Sequence, residues 1–554
     1  MRILLLASAF NGLTQRVWCR LRAGGHRVSV QLSTSPEAML HGVRAFGPEL
    51  VVCPFLKEKV PEEIWRHWRT VIIHPGPVGD RGPSSLDHAI TDGARIWGVT
   101  ALQAIEEMDA GPVWATRIFT IPEDPPRKSA LYNGPVADAA VECVEEVVAK
   151  ASDPSFQPIP LERAPRAVPG TGLRPLVRQS DRAFAWDDDP ERIVRHIRAA
   201  DGFPGVRTRI GGLEVRAFDA SVGGIAGPPG EILGRRYGAV LVGTGHGSVW
   251  IGQLNRVRED GGPSLKLFAT AVLRRSVPEA PAQAGGERYA PVHYHRDGPV
   301  GTLTFRAYNG AMSTRQCRMV AAGLRAALRD DTRVLVVRGT HESFSNGIHL
   351  GVIEAAPEPA AEAWANIRAI NAICRRLCAA TGKVLVSAYT AGAGAGGAML
   401  GLGADVVVAR AGVVLNPFYD MGLYGSELHT YALPARVGPE QATALLHNKL
   451  PVDADRARSL GLVDAVGPRE PQEFDGWLGE VAAGWADPAR WRSTVDARRA
   501  RAAKQRWPLS YHETVELGEM ARDLFDDRQR FDRARKAFIY KEPPCATPAR
   551  LIAD

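Results

Sequence analysis

Val71-Ile72-Ile73-His74-Pro75-Gly76-Pro77-Val78-Gly79-Asp80 is an apolar run that ends on a histidine and breaks at once into a loop of glycine and proline. Apolar residues bounded by turn formers read as a short buried strand, Val71 to His74. Working outward, similar runs recur at Ile3 to Ala9, Arg27 to Leu32 and Leu50 to Cys53. Thr14 to Ala23 has helical spacing, with Leu13, Val17 and Leu21 on one face, and Val136 to Lys150 closes the series as a helix. Strand and helix in alternation predict an α/β unit with a parallel, doubly wound sheet over residues 1–170. Ligands bind beyond the carboxyl ends of such strands, and His74 stands at one.

The length, 554 residues, implies several domains. After a proline-rich connector (Pro154 to Pro175), residues 176–275 change character. A helix (Asp189 to Ala199) precedes short alternating strands at 206–210, 213–218, 239–243 and 249–257, which predict a small, OB-like β-barrel. Val277 to Gly286 is rich in Pro, Ala and Gly, so 276–295 reads as a linker. Residues 296–554 then form a second α/β domain. Its strands are 301–305, 333–338 and 384–388, its helices 313–329 and 361–380, and its end (Ser510 to Ile539) is charged and helical.

Composition narrows the class. The chain is 45% hydrophobic and 23% charged, as expected of a soluble globular protein. Its net charge of +7 is spread along the chain, and the one dense basic run (Arg490 to Arg506) is helical. With no zinc-finger or RNP-type pattern, no nucleic-acid partner is expected, and anionic small ligands account for the charge equally well. Seven cysteines without a Cys-x-x-Cys predict neither a disulfide framework nor a metal centre, and Cys374 and Cys378 read as helix packing. The apolar start of the chain is short and passes directly into a helical pattern, which favours a first strand over a signal peptide. The glycine-rich stretch 398–415 is interrupted by Asp405 and Arg410, so no membrane span is expected and the predicted location is cytoplasmic.

His74 is followed by Glu107-Met-Asp-Ala-Gly-Pro-Val, which supplies Asp109. Singly, these read as a solvated loop histidine and a turn aspartate. Together they form a pair for proton transfer, in which the aspartate fixes the tautomer and stabilises the imidazolium. The two motifs resemble those of the formyltetrahydrofolate formyltransferase and hydrolase family, and the resemblance extends to about residue 275 through Ala183-Phe-Ala-Trp and Asp201-Gly-Phe-Pro. It implies a Rossmann-like formyltransferase domain, a C-terminal-type barrel, and formyl-tetrahydrofolate as substrate. One position departs: the family places Asn two residues before the histidine, where this chain has Ile72.

The second half carries Ser343-Phe-Ser-Asn-Gly-Ile-His-Leu and Ala395-Gly-Gly-Ala-Met-Leu, followed by Ala404-Asp405. Gly392, Gly394 and Gly397 also fit G-x-G-x-x-G, but the expected ribose-binding acid is not evident, and helix–sheet packing is a further reading. These segments resemble the crotonase (enoyl-CoA hydratase) superfamily. The resemblance implies a ββα spiral domain that binds coenzyme A, with backbone N–H groups of Ile348 and Gly396 forming an oxyanion hole. The two hydratase glutamates fall on Met399 and Phe418, which argues against water addition. In their place Asn416-Pro-Phe-Tyr-Asp-Met-Gly-Leu-Tyr-Gly-Ser-Glu-Leu offers Tyr419, Tyr424 and Glu427 in the acyl-pocket segment, although a packed Tyr and a helix-capping Glu are ordinary alternatives.

The two halves in this order resemble the [NiFe]-hydrogenase maturation factors of the HypX (HoxX) type, including Gly79-Asp-Arg-Gly-Pro-Ser-Ser-Leu-Asp and Leu423-Tyr-Gly-Ser-Glu. The resemblance implies an enzyme that passes formyl from formyl-tetrahydrofolate to coenzyme A and decarbonylates formyl-CoA to carbon monoxide. Glu427 is then assigned as base and Tyr419 as acid. Folate, CoA and other hydrogenase maturation proteins are the implied partners. A formyltetrahydrofolate hydrolase whose crotonase half only binds CoA, and a non-enzymatic scaffold, are the alternatives.

Overall fold

The computed structural model describes residues 1–416 and 421–553. The chain divides into two compact units, Met1–Tyr289 with Pro543–Asp554, and Ala290–Glu542.

In the first unit β1 (Arg2–Ala7), β2 (Arg27–Leu32), β3 (Leu50–Cys53), β4 (Thr70–His74), β5 (Ile96–Gln103) and β6 (Val113–Thr120) pair in the order β2-β1-β3-β4-β5-β6. The first four are parallel, and Ile3, Leu5 and Leu6 are fully buried, as a sheet covered on both faces requires. Beyond β4 the sheet departs from the parallel expectation. β4 with β5, and β5 with β6, pair antiparallel; the β4–β5 connection carries the helix Ser85–Thr91, and β5 and β6 are joined by the loop 104–112.

The smaller sheet comprises β7 (Val206–Ile210), β8 (Leu213–Val222), β9 (Ile232–Arg236), β10 (Ala239–Thr244), β11 (Gly247–Arg256) and β12 (Lys266–Phe268). It runs β7-β8-β11-β10-β9, with β12 on β11. The helix Pro190–Ala199 sets Ile193 and Ile197 into a core with Val206, Val215, Val240 and Ile251.

Two boundaries differ from expectation. The supposed linker is packed rather than free: the Arg235 N–H donates to the Pro278 carbonyl and the Ala280 N–H to the Arg235 carbonyl, the Trp250 indole donates to Ala284 at 2.8 Å, and Ala284 is fully buried. Its far end is already a strand of the second unit. The last residues, expected within 296–554, cluster instead with the first unit. The Leu32 N–H donates to the Thr547 hydroxyl at 2.9 Å and the Ala553 N–H to the Ser29 hydroxyl at 3.1 Å, with Leu551 buried. They cover the edge of β2, whose backbone groups have no further strand to pair with.

The second unit contains β13 (Val292–Asp297), β14 (Val300–Phe305), β15 (Val334–Arg338), β16 (Val384–Tyr389), β17 (Ala393–Gly394), β18 (Val406–Arg410), β19 (Val414–Asn416), β20 (Val452–Asp453) and β21 (Ala465–Gly467). The main sheet runs β13-β14-β15-β16-β18-β21, and β17-β19-β20 form a small second one. The helix Thr314–Arg329 starts on a capping box between Ser313 and Gln316. Phe344 packs between Phe305 and Tyr389, at ring distances of 5.1 and 4.3 Å. The C-terminal stretch expected to be helical is helical, in two helices, Leu509–Phe525 and Phe531–Tyr540. They part at Arg530, whose φ of 61° is left-handed. Among the described residues no helix is long and apolar enough to cross a membrane.

Candidate active sites

His74 ends β4 opposite Thr100 of β5. The loop beyond it is pinned: the Ser85 hydroxyl and the Trp97 indole donate to the Pro75 carbonyl at 2.7 and 3.1 Å, and the Thr100 hydroxyl donates to Gly76 at 2.8 Å. This brings Asp80 back to His74, with 2.9 Å between Oδ2 and Nε2. Gly76 permits the contact, because a Cβ there would stand 2.2 Å from Asp80 Oδ2 and 2.5 Å from His74 Nε2. On the other ring nitrogen, Asp109 Oδ1 lies 3.5 Å from Nδ1. Asp109 is left-handed (φ 56°), and its Oδ2 accepts the Gly82 N–H at 3.2 Å.

The histidine therefore lies, 4% exposed, between two carboxylates. Burial lowers its pKa, but the hydrogen bonds and charges of Asp109 and Asp80 outweigh burial and raise it to about 9. A pKa of about 9 favours the imidazolium at neutral pH. The expected partner Asp109 is there. Asp80 was within the quoted loop, and only the fold gave it a role. Ile72, two residues before His74 on the same strand, packs against the apolar core.

In the second unit Gly347 (φ 76°) follows Ser345, whose hydroxyl accepts the Gly347 N–H at 3.1 Å. Half-buried Ile348 packs against the core and bridges in parallel to Met312. The Gly394 N–H donates to Ser345 at 2.9 Å, drawing the two glycine segments together. A Cβ on Gly347 would lie 3.7 Å from both the Gly396 and Gly397 nitrogens. The helix after Gly396 is only Gly397–Leu400, so a single turn contributes little macrodipole and the individual N–H groups carry the electrostatics. Met399 is buried in the apolar core.

Glu427 closes on the same point. It is 4% exposed, its Oε2 accepts the Ser426 hydroxyl at 2.8 Å, and its N–H donates to Asn371 Oδ1 at 2.8 Å. A Cβ on Gly396 would stand 2.1 Å from Glu427 Oε1. Burial above all, with the nearby Glu516 charge, pushes its carboxyl up to about 7, against the Ser426 hydrogen bonds. Its carboxylate does not cap the next helix, His429–Val437. The N-cap residue is Leu428, with no side-chain cap bond.

Tyr424 is 38% exposed, with its ring 5.5 Å from that of His429, and lines a hollow of about 330 Å³ with Leu423, His429, Thr443 and His447. Tyr419 and Phe418 lie outside the described residues. Sequence reasoning missed Ser426, Asn371 and Glu516. The last two lie 56 and 88 positions from the residues whose N–H groups they accept, a separation that carries no local signal.

Comparison with known proteins fits both halves. Residues 29–133 match the formyl transferase family, 176–261 its C-terminal domain, and 302–516 the enoyl-CoA hydratase/isomerase family. Over 24% identity, 40% of the chain is similar to 69% of a methionyl-tRNA formyltransferase of Geobacter metallireducens. The whole chain is 40% identical to the hydrogenase maturation factor HoxX of Bradyrhizobium diazoefficiens, covering 97% of it. It also superposes on HypX from Aquifex aeolicus, crystallised in complex with tetrahydrofolic acid, with a TM-score of 0.93 and 36% identity over 100% of this chain and 98% of that one. With full-length identity to one maturation factor and full-length superposition on another, the chain belongs to the HypX (HoxX) family of hydrogenase maturation factors.

Proposed function

We propose that this maturation factor moves a formyl group from formyl-tetrahydrofolate to coenzyme A and then splits formyl-CoA into carbon monoxide and CoA. The observation that carries the reading is the buried Glu427 carboxylate against Gly396, in a site whose corresponding hydratase acid is the core residue Met399. The ligands suit the residues: the backbone N–H groups of Ile348 and Gly396 are the candidate donors to a thioester carbonyl, and glycine at 396 lets the Glu427 carboxylate stand beside it. The imidazolium of His74 suits a formyl oxygen or a leaving amine that gains charge. The bound HypX ligand, tetrahydrofolic acid, supports folate as the donor here too.

In the first step the CoA sulfur bonds to the formyl carbon and the carbon–nitrogen bond to folate breaks. His74 donates its own proton to that nitrogen and is reprotonated by the proton the thiol gives up, with Asp109 and Asp80 holding the ring. With Ile72 where the formyltransferase family has an asparagine, a neutral amide that polarises the formyl oxygen, His74 is the cationic hydrogen-bond donor left for that oxygen. In the second step Glu427 removes the formyl proton while the carbon–sulfur bond breaks. The electron pair of the C–H bond stays on carbon as CO forms, and the thiolate is protonated, a role assigned by resemblance to Tyr419. Keeping water out matters because hydrolysis to formate competes. The test is to supply formyl-CoA to the full chain and measure CO by haemoglobin absorbance beside formate. CO is expected. Formate as the only product would replace this reading with a hydrolase.

A further inference from the structure

The helix Leu509–Phe525 turns one stripe of its surface, Glu516, Met520 and Asp523, toward the backbone of residues 424–430. The spacing is helical, and all three are buried, both carboxylates completely. Glu516 Oε2 accepts the Leu428 N–H at 2.9 Å, and its Oε1 accepts the Thr430 N–H at 2.8 Å and the Thr430 hydroxyl at 2.7 Å. The Gly425 N–H points at Met520 Sδ, 3.2 Å away. Asp523 Oδ2 accepts the Tyr424 N–H at 2.7 Å, while its Oδ1 is held by Arg528 at 2.8 Å.

Two consecutive residues in this loop, Glu427 (φ 63°) and Leu428 (φ 56°), are left-handed without being glycine. L side chains disfavour that conformation, so something outside the loop must hold it. The Leu428 side chain offers no cap: the Ser426 carbonyl takes the His429 N–H and the Leu428 carbonyl those of Tyr431 and Ala432, which leaves the Leu428 and Thr430 N–H groups to an outside acceptor. Glu516, from a helix far along the chain, supplies that acceptor. Asn371 Oδ1 holds the Glu427 N–H from a second helix, Pro359–Ala379.

We propose that Glu516 and Asp523 are positioning residues of the formyl-CoA-cleaving centre: they hold residues 424–430 in the strained turn that aims the Glu427 carboxylate at Gly396. This rests on the reading of that centre given above. The C-terminal helices are then part of the active site and not an appended cover.

The full chain carrying Glu516→Gln, and separately Asp523→Asn, tests this in two ways. An amide in place of the carboxylate turns one acceptor toward a backbone donor as a second donor. With formyl-CoA supplied, kcat for CO should fall at least tenfold while KM changes less than threefold, because the Ile348 and Gly396 N–H groups are untouched. Amide hydrogen exchange should quicken by tenfold or more at Leu428 and Thr430 in Glu516→Gln and at Tyr424 in Asp523→Asn, with the β14–β16 amides unchanged. Exchange and kcat both at wild-type values would overturn the proposal. So would faster exchange throughout the second unit, which would make the stripe a general packing element. If the wild-type protein makes no CO, the reaction assignment fails, and the exchange pattern alone decides whether the helix holds the turn.

Discussion

The Glu427 carboxylate occupies the space beside Gly396 that any larger residue would need: a Cβ there would stand 2.1 Å from Oε1 and 2.2 Å from the carboxyl carbon. Glycine at 396 and glutamate at 427 are thus one feature. The first leaves room for the second, an acid whose pKa, about 7, suits it to exchange a proton near neutrality.

Gly396→Ala should push the Glu427 side chain out of register and reduce CO from formyl-CoA by about 10²-fold or more, the scale of a lost general base. Release of tetrahydrofolate from formyl-tetrahydrofolate should change little, since the proposed function assigns that chemistry to His74 in the first unit. Loss of both activities together with solubility would mark Gly396 as a packing residue.

Glu427→Gln keeps shape and removes the base, so CO formation should fall by about 10²–10⁴-fold without formate taking its place. Tyr419→Phe, which removes one hydroxyl, should do the same if Tyr419 protonates the thiolate. Wild-type CO yield from either variant removes that residue from the mechanism.

His74→Ala should lower formyl loss from formyl-tetrahydrofolate by about 10²–10⁴-fold while CO from supplied formyl-CoA persists. Gly76→Ala is the subtler probe. Its Cβ would displace Asp80 from His74, so the imidazole pKa should drop toward its ordinary range and folate turnover should fall in a fold that stays intact. An NMR titration of the His74 ring checks the pKa directly.

The two sites should respond oppositely to pH. Glu427 must be ionised to accept a proton, so CO from formyl-CoA should rise through about pH 7. His74 must be protonated, so folate turnover should decline as pH rises through about 9. Folding raises the His74 pKa from 6.5 to about 9, so its ion pairs stabilise the fold fully below about pH 6.5 and are lost through about 9. That loss is on the order of 3 kcal/mol. Wild-type protein should lose thermal stability over this interval relative to His74→Gln, and parallel curves would show that the ring is not charged.

Removing residues 543–554 should expose the edge of β2, which loses the Thr547 acceptor and the buried Leu551. The expected result is a lower unfolding temperature for the first unit and a greater tendency to associate, read by calorimetry and light scattering.

The amino-acid sequence by itself determined the runs of buried strand, because β1, β3 and β4 lie inside a covered sheet and their apolar continuity is a local property. It also placed His74 at a strand end, Asp109 in a turn, and Gly396 at the start of a short helix. Short-range pattern did not reveal the antiparallel β5–β6 edge, the packed stretch 277–286, or the return of the C-terminus to β2. Each is decided by which unsatisfied backbone or apolar surface happens to lie nearby. The same holds for the chemistry. A histidine reads as a histidine in sequence, but whether it is neutral or an imidazolium depends on two carboxylates brought to 2.9 and 3.5 Å by separate loops. Glu427 is equally silent, since its raised pKa comes from burial and from Glu516, and its left-handed turn is held by Asn371 and Glu516. Electrostatics in a low-dielectric interior depends on distance in space, and only tertiary structure sets those distances.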